Sequence, residues 1–424
     1  MVKSFILKTI MFFVSCAMAF AVSAQEEYVT LEQCQQWAIS QTSANVQKDL
    51  NEQILKTNLN NESSYLFPKL SINGRFSYGN VDVTYPHPWT DDANVARMQY
   101  HIGLDFEQVV FEGFRMHFGR QFARLQNEAE IAKIDLSLNE VKDKIVSIYL
   151  NLLIVDKQMG IIKSVQNTYD EQIKRLKVML QEGVIPQNTL SQLEVEALKM
   201  QQTYDELQAN RESLVSTLEI LTGKDFSNTK FLMPELPDVD NLDTNARLEY
   251  KLFDNQMRQM DFQRKIYLSN SLPKVALFAT GGYGRPDYQF YLSRPDWYYL
   301  AGVTLKVPLI DWARSSGFGK VIDIQKEVLA SQEADFRKSN MISIQEKQNE
   351  IIRIEKLIQL DSSITAKYAE LTKTYSGQLA NGTITVFDYI KQHNDELQSR
   401  MNQELHHIQL LKAKYELMAL KGIL

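Results

Sequence analysis

Apolar and polar residues alternate with period two in four separate stretches of the chain. Leu70, Ile72, Phe76 and Tyr78 alternate with Ser71, Asn73, Arg75 and Ser77. Met98, Tyr100, Ile102, Leu104 and Phe106 alternate with Gln99, His101, Gly103, Asp105 and Glu107. Further on, Val275, Leu277, Ala279 and Tyr283 share one face, and Trp297, Tyr299, Ala301, Val303, Leu305 and Val307 another. Period two predicts strands. Each runs about 10–13 residues, near the length a tilted strand needs to cross a bilayer. The polar face carries Arg75, Asp105, Glu107 and Lys306, as a water-filled lumen would. Tyr85, Trp89, Tyr288, Phe290, Tyr291, Trp297 and Tyr298 crowd the strand ends and loops, like the aromatic belts of a membrane interface.

After each strand pair the period changes. From Phe114 to Glu182 there is no proline, and the only glycines are Gly119 and Gly160. Apolar positions from Leu138 through Ile145, Leu152, Met159 and Tyr169 to Leu180 step by three or four. Their mean spacing of about 3.5 predicts a left-handed coiled-coil helix. The second copy of the pattern runs through Ile344, Ile351, Ile354, Ile358, Ile364, Tyr368, Tyr375 and Leu379. Nearly 70 residues at about 1.5 Å each make a rod of roughly 100 Å. The pattern breaks at Gly183 and Gly382, and a shorter helix returns through Leu190, Leu198, Leu214, Leu218 and Leu221, or through Tyr389, Leu397, Leu417 and Leu420. Pro186 suits a helical first turn.

The repetition predicts a duplicated unit. Gly103-Leu104-Asp105-Phe106 aligns with Gly302-Val303-Thr304-Leu305, Arg115 with Arg314, Gly183 with Gly382, and Gly223 with Gly422, all at one offset of 199 residues. Pro68-Lys69 matches Pro273-Lys274. The expected organisation is an export signal over 1–24, a first repeat over 25–223, a linker over 224–245 and a second repeat over 246–424. The signal reading rests on Lys3 and Lys8, an apolar run from Thr9 to Val22, and small residues before Gln25. No later run of about 18 consecutive apolar residues predicts a transmembrane helix.

Composition then narrows the function. The net charge of −6 argues against a nucleic-acid partner. The two cysteines, Cys16 and Cys34, make no disulfide framework or thiolate metal site. No phosphate-binding loop, dinucleotide fingerprint, H-E-x-x-H or G-x-S-x-G pattern occurs. His406 and His407 are adjacent, so on a helix they point apart. Helical carboxylates such as Glu194, with Lys199 nearby, read as solvated positions and ion-pair partners. The sequence therefore predicts neither an enzyme nor a cofactor.

Four strands cannot close a barrel, and an open edge in lipid leaves backbone groups unpaired. Several copies must pool their strands, and three copies would leave an aqueous lumen where two would fill it with side chains.

With these features the chain resembles the outer membrane efflux protein family, the TolC-like channels. The resemblance rests on an amphipathic helix from Leu31, Leu66-Phe67-Pro68-Lys69-Leu70-Ser71 entering a strand, and Val110-Phe111-Glu112-Gly113-Phe114-Arg115 leaving one. It rests also on Gly183-Val184-Ile185 at one helical turn and Asn381-Gly382-Thr383-Ile384-Thr385-Val386-Phe387-Asp388 at the other. It implies a mostly α protein with membrane β. A homotrimer would form a twelve-stranded barrel, four strands per protomer, in a Gram-negative outer membrane, joined to a coiled-coil helical tunnel in the periplasm. It implies a passive exit duct of a tripartite efflux or type I secretion system, with a periplasmic adaptor (membrane fusion protein) and an inner-membrane transporter as partners. By the same resemblance, the turns Gly183, Val184, Ile185 and Gly382, Thr383, Ile384 would be adaptor-docking tips, and Asp388 would belong to the periplasmic gate. The second acidic position of that gate is Lys391 here, which breaks the acidic pair; Asp388 also suits a plain first-turn helix residue. The competing reading is an exported periplasmic coiled-coil adaptor or structural protein with a soluble β-hairpin domain.

Overall fold

The computed structural model describes residues 27–80, 83–85, 93–95, 97–227, 229–237, 247–285, 295–309 and 312–423. The expected export signal and the belt residues Trp89, Tyr288, Phe290 and Tyr291 lie outside these residues. Described elements are β1 (Glu27–Val29), α1 (Leu31–Gln41), α2 (Ala44–Ser64), β2 (Lys69–Tyr78), β3 (Val83–Tyr85), β4 (Ala93–Val95) and β5 (Met98–Glu112). There follow α3 (Arg115–Gln181), α4 (Gln187–Thr222), β6 (Thr229–Phe231), α5 (Leu248–Ser269), β7 (Lys274–Arg285), β8 (Asp296–Lys306), α6 (Trp312–Ala380) and α7 (Val386–Lys421). The long helices have 67 and 69 residues and the shorter ones 36 each.

The chain divides into two compact units. One comprises residues 45–136 and 248–338 and holds a four-stranded antiparallel sheet in the order β2-β5-β7-β8. The two expected strand pairs thus join into one sheet, in which β2 and β8 pair on one side only among the described residues. Strand β5 has 15 residues, longer than the alternation predicts. Its pairing with β7 shifts register between Val109 and Phe111, and this bulge hides the strand's end by breaking the two-residue period. Gly113 and Phe114 then turn the chain into α3 at positive φ; a Cβ on Gly113 would lie 2.6 Å from the Ser269 carbonyl oxygen. In this unit α5 packs on α6 through stacked Tyr267 and Phe318 rings, and Gln259 Nε2 donates to the Leu125 carbonyl of α3.

The other unit comprises the described residues within 1–44, 137–247 and 339–424. Its first core gathers Leu31, Cys34 and Ala38 of α1, Ile145, Tyr149 and Leu152 of α3, Val215 and Leu218 of α4, and Ile408 and Leu411 of α7. A second core packs Ile162, Tyr169 and Leu176 of α3 against Leu190 and Leu193 of α4, Leu379 of α6, and Val386, Tyr389 and Leu397 of α7. A third joins Ile351 and Ile354 of α6 to Leu410, Ala413 and Leu417 of α7.

Several expectations change in detail. The helix from Leu31 ends at Thr42, whose hydroxyl donates to the Ile39 carbonyl, and a new helix begins at Ala44. Pro186 is the N-cap of α4, one residue before its first turn. Lys199 pairs with Glu196, while Glu194 reaches Lys177 on α3. One stretch of α3 is long and apolar enough to cross a membrane, although no uninterrupted apolar run announces it; half of it is buried within the protein. The segment expected only as a linker contributes β6, which pairs in parallel with β1, and Phe226, which is fully buried. Tyr149 Oη lies 2.7 Å from both the Val29 and Leu232 carbonyl oxygens and ties these segments to α3.

Candidate functional site

Cross-strand register sorts the sheet into two faces. Opposed residues run Ile72–Leu104–Gly281–Tyr299, Leu70–Phe106–Ala279–Ala301 and, at the other end, Gly74–Ile102–Tyr283–Trp297. The face they form is apolar across all four strands and largely uncovered: Ile72 is 75% exposed, Trp297 76% and Tyr299 90%. Exposing so much contiguous apolar surface to water is unfavourable, so such a face marks contact with lipid or a partner.

The opposite face is polar. Its rows are Ser71–Asp105–Thr280–Leu300, Lys69–Glu107–Phe278–Gly302 and Arg75–His101–Gly284–Asp296. Asp105 accepts hydrogen bonds from Thr280 Oγ1 at 2.6 Å and from Asn73 Nδ2. Lys274 Nζ reaches Glu112 at 2.9 Å. A cavity of about 610 Å³ opens here above Lys69, Asp105, Glu107 and Phe278. The two aromatic side chains of this face lie low. Tyr298 reaches across Gly282 towards Gly103, so that a Cβ on either glycine would meet its hydroxyl at 2.9 or 3.1 Å. Phe278 lies over Gly302 in the same manner, 3.0 Å from a Cβ there.

In the other unit, both helical hairpins turn through the same motif. Gly183 N–H donates to the Leu180 carbonyl and Val184 N–H to Met179; Gly382 N–H donates to Leu379 and Thr383 N–H to Gln378. Both glycines have positive φ, as this helix-ending motif requires. Ile185 and Ile384 pack against the second core, whereas Val184 is 61% and Phe387 66% exposed. The two returning helices start differently. Pro186 gives α4 no side-chain cap, whereas Thr385 and Asp388 form a reciprocal capping box on α7. Asp388 accepts from the Thr385 hydroxyl at 2.6 Å and its backbone N–H at 3.2 Å, and these bonds hold its carboxyl below the usual carboxylate range, helped by Lys391. Asp388 and Lys391 are both exposed.

Sequence reasoning missed the polar seam behind these turns. His393 is buried between Tyr169 of α3 and Tyr389 of α7. Further along, His406 Nδ1 meets Asp361 of α6 at 2.6 Å, and Thr365 and Ser399 share a hydrogen bond at 2.8 Å. His393 lies four residues from both Tyr389 and Leu397, a spacing that could have placed it in the core stripe had its polar side chain not been read as solvated. A cavity of 550 Å³ near the end of α7 is lined by Asp143, Arg247, Lys347, Tyr415 and Glu416 among others. Burial raises the Asp143 carboxyl, against the pull of Arg247. Among the described residues, no group of three His, Cys, Asp or Glu side chains is placed to hold a metal ion.

Solved structures share this architecture. The CmeC outer membrane channel of Campylobacter jejuni is 14% identical, aligning 92% of this chain with 85% of that one at a TM-score of 0.69. The outer membrane protein VceC of Vibrio cholerae is 12% identical over 92% of this chain and 96% of that one, with a TM-score of 0.70. The open-state MtrE outer membrane channel of Neisseria gonorrhoeae is 14% identical over 93% and 89%, at 0.66. No family model and no curated protein sequence matches the chain. At these identities the likeness is one of fold: the chain has the fold of the TolC-like outer membrane channels.

Proposed function

We propose that this chain is one protomer of a passive exit duct in a Gram-negative outer membrane. The observation that carries the reading is the sheet, which has an uncovered apolar face, a charged opposite face and one-sided pairing of β2 and β8. Three copies would join β8 of one to β2 of the next in a twelve-stranded barrel, with the apolar face towards lipid and Asp105, Glu107, Arg75 and Lys69 towards water. Closure removes the edges that lipid would leave unsatisfied. An adaptor with a soluble hairpin domain would have no use for so wide an uncovered apolar face. The duplication expected from sequence accounts for the matched lengths of α3 and α6 and of α4 and α7, and for the same turn at Gly183 and Gly382.

Within this reading the helical hairpins stand in the periplasm. Their exposed tips, Gly183 to Ile185 and Gly382 to Ile384, would dock a periplasmic adaptor serving an inner-membrane transporter. Three copies of Asp388 and Lys391 would line the closed end. In this reading a partner supplies the energy of transport. The test is fractionation: a detergent-extracted, heat-sensitive trimer from outer membranes that conducts ions in planar bilayers supports the duct, and a soluble periplasmic monomer excludes it. At the gate, Asp388→Ala changes conductance or cation preference. Thr385→Ala, which disturbs the cap and keeps the charge, separates the two roles of Asp388, and unchanged conductance in Asp388→Ala removes it from the gate.

A further inference from the structure

His393 sits in the first turns of α7, just behind the turn at Gly382, and is only 7% exposed. Its ring meets the Tyr169 ring of α3 edge-on, with centroids 5.1 Å apart, and the Tyr389 ring of α7 at 5.7 Å. Neither ring nitrogen has a hydrogen-bond partner in the protein. Around it, from α3 come Tyr169, which bonds Asn394, and Gln172, which bonds Ser376 of α6. From α7 come Glu396, buried and paired with Arg400, and the Arg400 guanidinium itself. The site is therefore an aromatic slot in which neither ring nitrogen is hydrogen-bonded, beside a carboxylate already paired with its own arginine.

The geometry points to His393 as a positioning residue that holds α7 against α3 at the turn end while its ring is neutral, and lets this seam open when the ring takes a proton. This rests on the duct reading, because an opening seam there would widen the closed end. Burial keeps the His393 imidazole below its ordinary value; its own backbone carbonyl and then Glu396 work the other way, and Arg400 works with the burial. The opened seam would return the ring to water and to an ordinary value near 6.5. As pH falls below about 6.5, the opened form binds a proton that the closed form refuses. Its population then grows by up to about tenfold per pH unit, until the depressed value of the closed form is reached. His406, on the same helix, meets Asp361 of α6 at 2.6 Å.

The experiment uses the full-length trimer between about pH 7.5 and 5.5, above the range in which ordinary carboxylates titrate. Two readouts are taken: open probability in planar bilayers, and amide hydrogen exchange over residues 386–400 in detergent, corrected for the intrinsic pH dependence of exchange. Both are expected to rise as pH falls, by up to about tenfold per unit. His393→Phe, which keeps a ring between the tyrosines, abolishes the rise, and His406→Gln preserves it. Should His393→Phe not assemble, His393→Gln takes its place. A rise that survives removal of the imidazole, or a parent protein with no rise in either readout, overturns the proposal. A parent protein whose exchange responds while it conducts at no pH overturns the duct and leaves the clamp standing.

Discussion

One hydroxyl joins three segments that the sequence keeps far apart. Tyr149 Oη lies within bonding distance of the carbonyl oxygens of Val29 and Leu232, so α3 anchors both β1 and the strand that follows α4. Tyr149→Phe removes the one O–H donor that these two carbonyls share, and because the Val29 carbonyl keeps the Leu232 N–H the cost is about 1 kcal/mol. It is expected to lower the thermal unfolding midpoint of the detergent-solubilised protein without altering the sheet. Thr385 is a second case. As N-cap of α7 it accepts from the Asp388 N–H, and Thr385→Ala is expected to cost about 1 kcal/mol and to speed amide exchange in the first turn of α7. The first turn of α4, begun by Pro186 without a side-chain cap, is unaffected and serves as the internal control. Asp388 was legible as a first-turn helix residue beyond a glycine turn, but its reciprocal bonds with Thr385 were not read from the sequence. Nor was the Tyr149 clamp, because a tyrosine in a heptad pattern reads as core, and its partners are backbone atoms fixed only by tertiary folding.

At the level of elements, alternation gave the strands and their faces because period two is a property of the backbone itself. Ile102 and Val303 lie on the apolar face, 60% and 64% exposed. Ile102→Arg or Val303→Arg is expected to cut the yield of assembled trimer, since a lipid-facing charge at mid-bilayer costs roughly 2–4 kcal/mol. Ser71→Arg on the polar face is expected to assemble normally, and equal yields of all three would count against this facing. Cross-strand register was beyond the sequence. That Tyr298 lies across Gly282 and Gly103, and Phe278 over Gly302, depends on which residues the pairing sets side by side. The bulge in β5 was hidden for the same reason. The short pair β1–β6 was hidden because three residues carry too little pattern to stand out from a linker.

For the whole molecule, the telling residues are apolar helix positions that the chain does not bury. Periodicity placed Leu198 and Ile364 among core positions, yet they are 70% and 45% exposed. Ile342, Leu360, Ile364 and Leu371 share one side of α6, beside the stripe of Ile354, Thr372 and Leu379 that faces its own chain. Sequence periodicity reports that a side is apolar, and it cannot say whether the cover comes from the same chain or another. Neighbouring copies supply that cover in the duct reading, as they supply the missing strand pairing. Leu198→Glu and Leu360→Glu should therefore leave the fold of the protomer intact and weaken the trimer, because each places a charge in a helix contact that exists only after assembly. Measured by crosslinking and by native electrophoresis of detergent extracts, both variants shift protein from trimer to monomer. If both retain trimer at the level of the parent while Ile102→Arg does not, the helices take no part in holding the copies together, and the strands alone close the duct.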